Sequence, residues 1–300
     1  MATQRQPRLV TRDGRAAGIV RLGLARGRFD DAYHWLLTAS WLRLIGIIVA
    51  IYATVNILFA CLYLAGGDCI ENARPGSFVD AYFFSVQTMA TIGYGKMVPK
   101  TVFANSIVAV EALIGMLFVA MATGLLFAKF SRPTARVLFS RVAVITRRDG
   151  KPTLMFRLAN TRGNQIVEAT LRVVLARQER TQEGEEIRRF HDVKLVRNTI
   201  SFFALSWTVM HVVDEHSPLA GADASSLSSS ASELIISLTG LDETFSQTVH
   251  ARHSYLAEEL VWDARFIDIL KRDGGKLIVD YARFHDVETV PAALALKPAQ

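Results

Sequence analysis

The run Thr91-Ile92-Gly93-Tyr94-Gly95 holds the residues whose types and spacing point most directly to chemistry. Gly93 and Gly95 open backbone angles that residues with a Cβ rarely reach. Consecutive carbonyl oxygens can then face a common axis, and together with the Thr91 hydroxyl they form a set of ligands that replaces water around a bare monovalent cation. The expected ligands are the carbonyls of Thr91, Ile92, Gly93 and Tyr94, with the Tyr94 ring bracing the strand from behind. One strand cannot enclose an ion. A single copy per chain therefore implies a closed ring of identical chains, and rings of four oxygens imply a homotetramer.

Elements on either side must hold this run in place. Residues 44–67 carry no charged side chain and residues 101–128 carry one, Glu111. Each run reaches the roughly 20 residues that cross a ~30 Å hydrocarbon layer, so transmembrane helices are expected over 44–65 and 102–129. Between them Phe78, Tyr82, Phe83 and Val86 recur at helical spacing, with Ser77 as N-cap. A helix over 78–89 is too short to cross, at ~1.5 Å per residue, and must be re-entrant. Irregular backbone at that depth is tolerated only inside protein or against water. The carboxyl end of the short helix would favour a cation in the cavity below it. Carbonyl ligation of this kind, in this setting, is that of potassium filters.

Composition agrees with a mixed membrane and soluble chain: 51% hydrophobic, 21% charged, net charge +6. Residues 1–43 hold eight arginines and three aspartates, and residues 129–162 nine basic residues and one acid, so both flanks are expected on the cytoplasmic side. Residues 163–300 sum to −6, with 14 bases against 20 acids, which leaves the basic excess beside the membrane. That distribution suits a lipid surface and not nucleic acid. Arg26, Arg28, Trp41, Lys129, Arg132 and Arg136 are candidates for anionic phospholipid headgroups; plain positive-inside topology also accounts for their charges. Cys61 and Cys69 are expected as free thiols.

Residues 1–28 form an arginine-rich cytoplasmic arm without periodicity, mobile or pairing with a sheet edge. Residues 29–41 follow an amphipathic helical pattern suited to the headgroup plane. The pore-forming part is expected over 42–130, and the Pro133 break opens a domain over 131–300. Eight alternating runs there, near 142–146, 154–159, 167–176, 188–196, 203–213, 234–239, 245–253 and 277–281, argue for a β-sandwich, with Asp149-Gly150 as a hairpin turn. Residues 224–232 are serine-rich and suit a loop or a helix start capped by a serine. His250 and His253 lack metal-ligand neighbours and are expected on a strand surface. No nucleophile, phosphate-loop or cofactor motif is present, so no enzyme and no cofactor are expected, with potassium as the permeant ion. A membrane-anchored sensor or a transporter would fit the spans, but the first needs no re-entrant Gly-Tyr-Gly loop and the second normally carries four such loops.

Segments Ser85–Pro99 (SVQTMATIGYGKMVP), Val110–Pro133 and Ser254–Phe266 (SYLAEELVWDARF) resemble the prokaryotic inward-rectifier-type (KirBac) potassium channels. The resemblance implies a bacterial inner-membrane homotetramer whose cytoplasmic domain is an immunoglobulin-like sandwich assembled as a ring. It implies a slide helix over residues 29–41 and a gate at Phe127, with Val119 and Thr123 on the same helix face; packing of Phe127 between helices is the plain alternative. Gly115 and Gly124 are candidates for bending or close packing. Glu111 is placed behind the filter, as a brace or as structural support. Strongly rectifying members carry an acid where this chain has Val119, so weak block by magnesium or polyamine is expected. Phosphoinositides act on the membrane-facing region in that family.

Overall fold

The computed structural model describes residues 8–9, 32–132, 135–274 and 276–291. The sequence expectations for Arg26, Arg28, residues 29–31 and Pro133 lie outside the described residues. Two compact units are present, residues 23–132 and residues 133–300 together with 1–22.

The first unit is helical. Helix α1 spans Ala32–Thr38, α2 Trp41–Ala65, α3 Phe78–Met89 and α4 Val102–Phe130. Both α2 and α4 are long and apolar enough to cross a bilayer. The amphipathic segment is shorter at its carboxyl end than its periodicity suggests. Ser40 has extended backbone and its hydroxyl accepts the Arg43 N–H, so Trp41 opens α2 instead of closing α1. The charge-free run begins at Leu44, but the helix begins three residues earlier and carries Arg43 in its first turn. Ser77 caps α3 by accepting from the Asp80 amide at 3.2 Å, and Arg74 grips Asp80 through two side-chain bonds of 2.9 and 3.0 Å. Strands β1 (Ile70–Glu71) and β2 (Val98–Pro99) pair antiparallel and tie together the loops on the two sides of α3 and the filter run. The Asp68–Lys100 ion pair at 2.6 Å and the Asn72 amide on the Lys96 carbonyl at 2.9 Å reinforce that mouth.

The second unit is a β-sandwich of two five-stranded sheets. One holds β3 (Val137–Phe139), β4 (Ala143–Arg148), β5 (Lys151–Asn160), β9 (Ser206–Val212) and β12 (Leu260–Trp262); the other holds β6 (Ile166–Arg180), β7 (Glu186–Asp192), β8 (Thr199–Phe203), β10 (Glu233–Asp242) and β11 (Gln247–Leu256). Two-stranded pieces follow: β13 (Ala264–Phe266) with β16 (Val287–Thr289), and β14 (Leu270–Asp273) with β15 (Lys276–Val279). Period-two alternation sends Leu234, Ile236 and Leu238 inward to meet Ile145, Leu154, Phe156 and Leu158 of the facing sheet. Each of the eight expected runs holds a strand. Asp149 and Gly150 both take positive φ, 50° and 77°, and register Arg148 opposite Lys151 in a two-residue hairpin.

Two local expectations are corrected. The serine-rich segment forms helix α5 (Ala224–Ser229), capped by Asp223 and not by a serine, with Ser226 returning the bond to the Asp223 amide. His253 is buried, stacked on Phe139 at 4.8 Å and edge-on to Tyr255, because its place opposite Ile236 turns it toward the core; His250 stays exposed. The N-terminal arm is described only at Arg8, which pairs with Glu259 at 2.5 Å, and Leu9, whose amide donates to buried Glu233 at 2.8 Å.

Candidate ion-coordination site and its support

Helix α3 leads into the Thr91–Gly95 run. Its last turn passes into the strand through the Thr91 amide on the Thr88 carbonyl at 3.0 Å and the Ile92 amide on the Gln87 carbonyl at 2.8 Å. Beyond that point left-handed backbone recurs at every second residue: Thr91 φ 54°, Gly93 φ 58° and Gly95 φ 77°, with Ile92 and Tyr94 between them outside that region. Alternation of left-handed and right-handed residues gathers the N–H groups on one side of the strand and turns the carbonyls to the other. The glycines permit this without cost. Thr91, the only Cβ-bearing member of the left-handed set, is the strained one. Its positive φ had no signal in the sequence.

Within one chain the whole run is exposed, Tyr94 by 74%. A Cβ built on Gly93 or Gly95 meets nothing within 4 Å. Irregular backbone between two membrane-length helices is tolerated where it is buried in protein or lines a water-filled cavity. Val119, Thr123 and Phe127 lie four apart on α4, all exposed within the chain, Phe127 by 72%.

Helices α2, α3 and α4 meet through buried polar groups. Glu111 on α4, Ser85 on α3, and Asn56 and Tyr63 on α2 are each 0–1% exposed. The Tyr63 hydroxyl donates to Oε2 of Glu111 at 2.5 Å, and Ser85 Oγ stands against Oε1 of Glu111. Ser85 also lies 2.9 Å from Oδ1 of Asn56, whose Nδ2 donates to the Tyr52 carbonyl at 2.8 Å and to Met89 Sδ at 3.3 Å. Glu111 was the residue singled out from the sequence. Asn56, inside an otherwise apolar run, carried the same kind of signal, since a buried amide in a membrane helix needs partners.

Of the two expectations for Gly115, bending or close packing, the structure shows close packing. A Cβ there would collide with the Met89 carbonyl, so the missing side chain is what lets α4 pass close to the end of α3. Gly124 has open space around it, and α4 continues unbroken through both glycines.

The lipid candidates separate. Arg132 and Arg136 are exposed. Lys129 is turned inward: its Nζ donates to the carbonyls of Leu37 (3.1 Å) and Ala39 (2.5 Å) and sits 5.2 Å from the centre of the Trp41 ring. Trp41 in turn packs on Phe130 at 4.4 Å.

Comparison with known proteins decides the family. A family model described as inward rectifier potassium channel C-terminal domain matches residues 137–298, and one described as ion channel matches residues 40–132. The chain is 52% identical to inward rectifier potassium channel Kirbac3.1 of Paramagnetospirillum magnetotacticum, over 94% of this chain and 96% of that protein. The chain belongs to the inward rectifier potassium channel family. Vertebrate relatives are more distant. ATP-sensitive inward rectifier potassium channel 12 of Gallus gallus is 35% identical over 84% of this chain and 61% of its own length. G protein-activated inward rectifier potassium channel 3 of Homo sapiens is 32% identical over 95% and 78%. The chain is thus a potassium channel of the prokaryotic, KirBac type and not an enzyme. Membership also accounts for the architecture of two membrane-length helices followed by a β-sandwich in one inward rectifier subunit.

Proposed function

We propose that four copies of this inward rectifier subunit surround one pore in a bacterial inner membrane, with Thr91 to Gly95 of each presenting carbonyl oxygens to potassium on the shared axis. The alternating left-handed φ angles at 91, 93 and 95, on a strand bare of its own chain, carry this assignment. Tyr94 fills the space behind the strand against neighbouring copies. Glu111, with Ser85, Asn56 and Tyr63, braces α3 from behind and stays out of the conduction path.

Val119, Thr123 and Phe127 face the cavity, and the four Phe127 rings form the constriction that closes by dewetting. The exposure of Phe127 within its chain supports a role facing the axis and its neighbours. Both termini and the sandwich lie in the cytoplasm, because the basic flanks sit at the inner ends of α2 and α4. Arg132 and Arg136 face anionic headgroups, where each base is worth ~1 kcal/mol. Magnesium and polyamines block weakly, for want of an acid at Val119.

Rubidium flux into liposomes of purified channel tests the filter assignment. Barium-sensitive uptake that excludes sodium is expected, and Gly93→Ala abolishes it while the protein still assembles. Selective uptake through assembled Gly93→Ala channels refutes the filter assignment.

A further inference from the structure

Charge is distributed unevenly around the outer end of the Thr91 to Gly95 strand. Residues 68–100 hold six charged side chains: Asp68, Glu71, Arg74, Asp80, Lys96 and Lys100. Two pairs form within the chain, Arg74 on Asp80 at 2.9 Å and Lys100 on Asp68 at 2.6 Å. Glu71, on β1 opposite Val98, adds its attraction to Lys100. Lys96 directly follows Gly95, is exposed, and among the described residues makes no ion pair. Its backbone is held from two sides. Asn72, in the left-handed region at φ 61°, donates its side-chain amide to the Lys96 carbonyl at 2.9 Å, and the β1–β2 ladder fixes Val98 and Pro99 just beyond. With that carbonyl turned to Asn72, what residue 96 offers the pore is its charge.

We propose that Lys96 sets cation access to the outer mouth: four ammonium groups, one from each chain, ring the external end of the filter and exclude divalent cations more strongly than potassium. The proposal rests on the filter assignment and on the tetramer. A fixed positive potential lowers the local concentration of a monovalent cation by one Boltzmann factor and that of a divalent cation by its square. Four charges acting through water at about one Debye length, ~10 Å at 0.1 M salt, lower local potassium about threefold and a local divalent cation about eightfold. The carbonyl rows select among monovalent ions, and the ring selects by valence before an ion reaches them. Exchanging the Lys96 side chain alters neither the carbonyls nor the buried groups around Glu111, so sodium exclusion is untouched.

Single-channel recording from the full channel in zwitterionic bilayers, at ~0.1 M salt, tests the ring. Lys96→Gln is expected to raise inward unitary conductance up to about threefold at low external potassium and to strengthen external barium block about eightfold, while Lys96→Arg behaves as the parent. Both effects should vanish when an impermeant salt brings the ionic strength to about 1 M, where the Debye length is ~3 Å. Block by internal spermine and exclusion of sodium should not change. If Lys96→Gln fails to assemble, Lys96→Cys, in a background with Cys61 and Cys69 replaced by serine, is modified in place with a cationic or a neutral methanethiosulfonate. Only the cationic adduct should restore the parent's barium sensitivity. Conductance and barium block equal in parent and Lys96→Gln, effects of one size on monovalent and divalent cations, or effects that persist at the higher salt overturn the ring. Loss of sodium exclusion in Lys96→Gln also overturns it, by making Lys96 part of the filter's own structure. A parent without barium-sensitive, sodium-excluding current is a different failure: it refutes the filter assignment, and the ring falls with it.

Discussion

Removing the Glu111 side chain should cost the channel its assembly, and replacing it by glutamine should not. In Glu111→Ala the Tyr63 hydroxyl, buried with its ring 1% exposed, loses its acceptor. An unsatisfied buried hydroxyl costs about 1–3 kcal/mol. The void left at a site of zero exposure adds about 2–5 kcal/mol, the range for truncating a buried side chain of similar length. Even the lower sum, about 3 kcal/mol per subunit, becomes about 12 kcal/mol over four, which is comparable to the whole stability of a domain. Glutamine is different. Ser85 has one hydroxyl proton and faces oxygen acceptors on both Glu111 and Asn56. The side-chain amide introduced by Glu111→Gln supplies a donor to Ser85 and still offers a carbonyl to Tyr63, so every group in the chain of bonds is satisfied. The assay is the temperature at which the purified tetramer dissociates on a denaturing gel, with rubidium flux on the surviving tetramer. We expect no surviving Glu111→Ala tetramer at temperatures where the parent persists, and a Glu111→Gln midpoint within a few degrees of the parent. An Ala variant as heat-stable as the parent would refute the hydrogen-bond account. A Gln variant as damaged as Ala would show that charge, not bonding, is what the site requires.

Three further outcomes are expected. Gly115→Ala drives a methyl group into the Met89 carbonyl, so it should lower potassium-over-sodium selectivity of the flux, whereas Gly124→Ala, with open space, leaves selectivity unchanged. Val119→Asp should convert weak block into deep voltage-dependent block by internal spermine, measured as outward current with and without the polyamine; block no stronger than in the parent would remove Val119 from the cavity. His211 is buried between the Lys194 carbonyl (2.6 Å) and the Ser217 hydroxyl (2.7 Å), and burial pushes its pKa below the ordinary 6.5. The unfolded chain then binds the proton more readily, so stability is full above pH 6.5 and falls as pH drops through 6.5 toward the folded value. Melting of the channel's β-sandwich from pH 7.5 to 5.5 should show a decline in the parent that is smaller in His211→Gln.

Much of this channel was legible without coordinates, because its signals are local. Charge-free runs reveal membrane helices through length alone, period-two alternation reveals strands through the pleat, and Asp149-Gly150 reveals its hairpin because a two-residue turn demands positive φ at both places. Gly93 and Gly95 likewise announce a backbone that other residues resist. Tertiary structure decided what depends on chain segments meeting from far apart. Tyr63, Ser85 and Glu111 are separated by 48 and 26 residues from their partners in the buried cluster, and no spacing rule brings them together. Lys129 read as one base among several until the fold carried the end of α1 to its ammonium, 90 residues away in sequence. Gly115 became a contact point through the approach of Met89, and His253 a core residue through its register against Ile236. Patterns of polarity determine which face of an element is buried; only packing determines which atoms it is buried against.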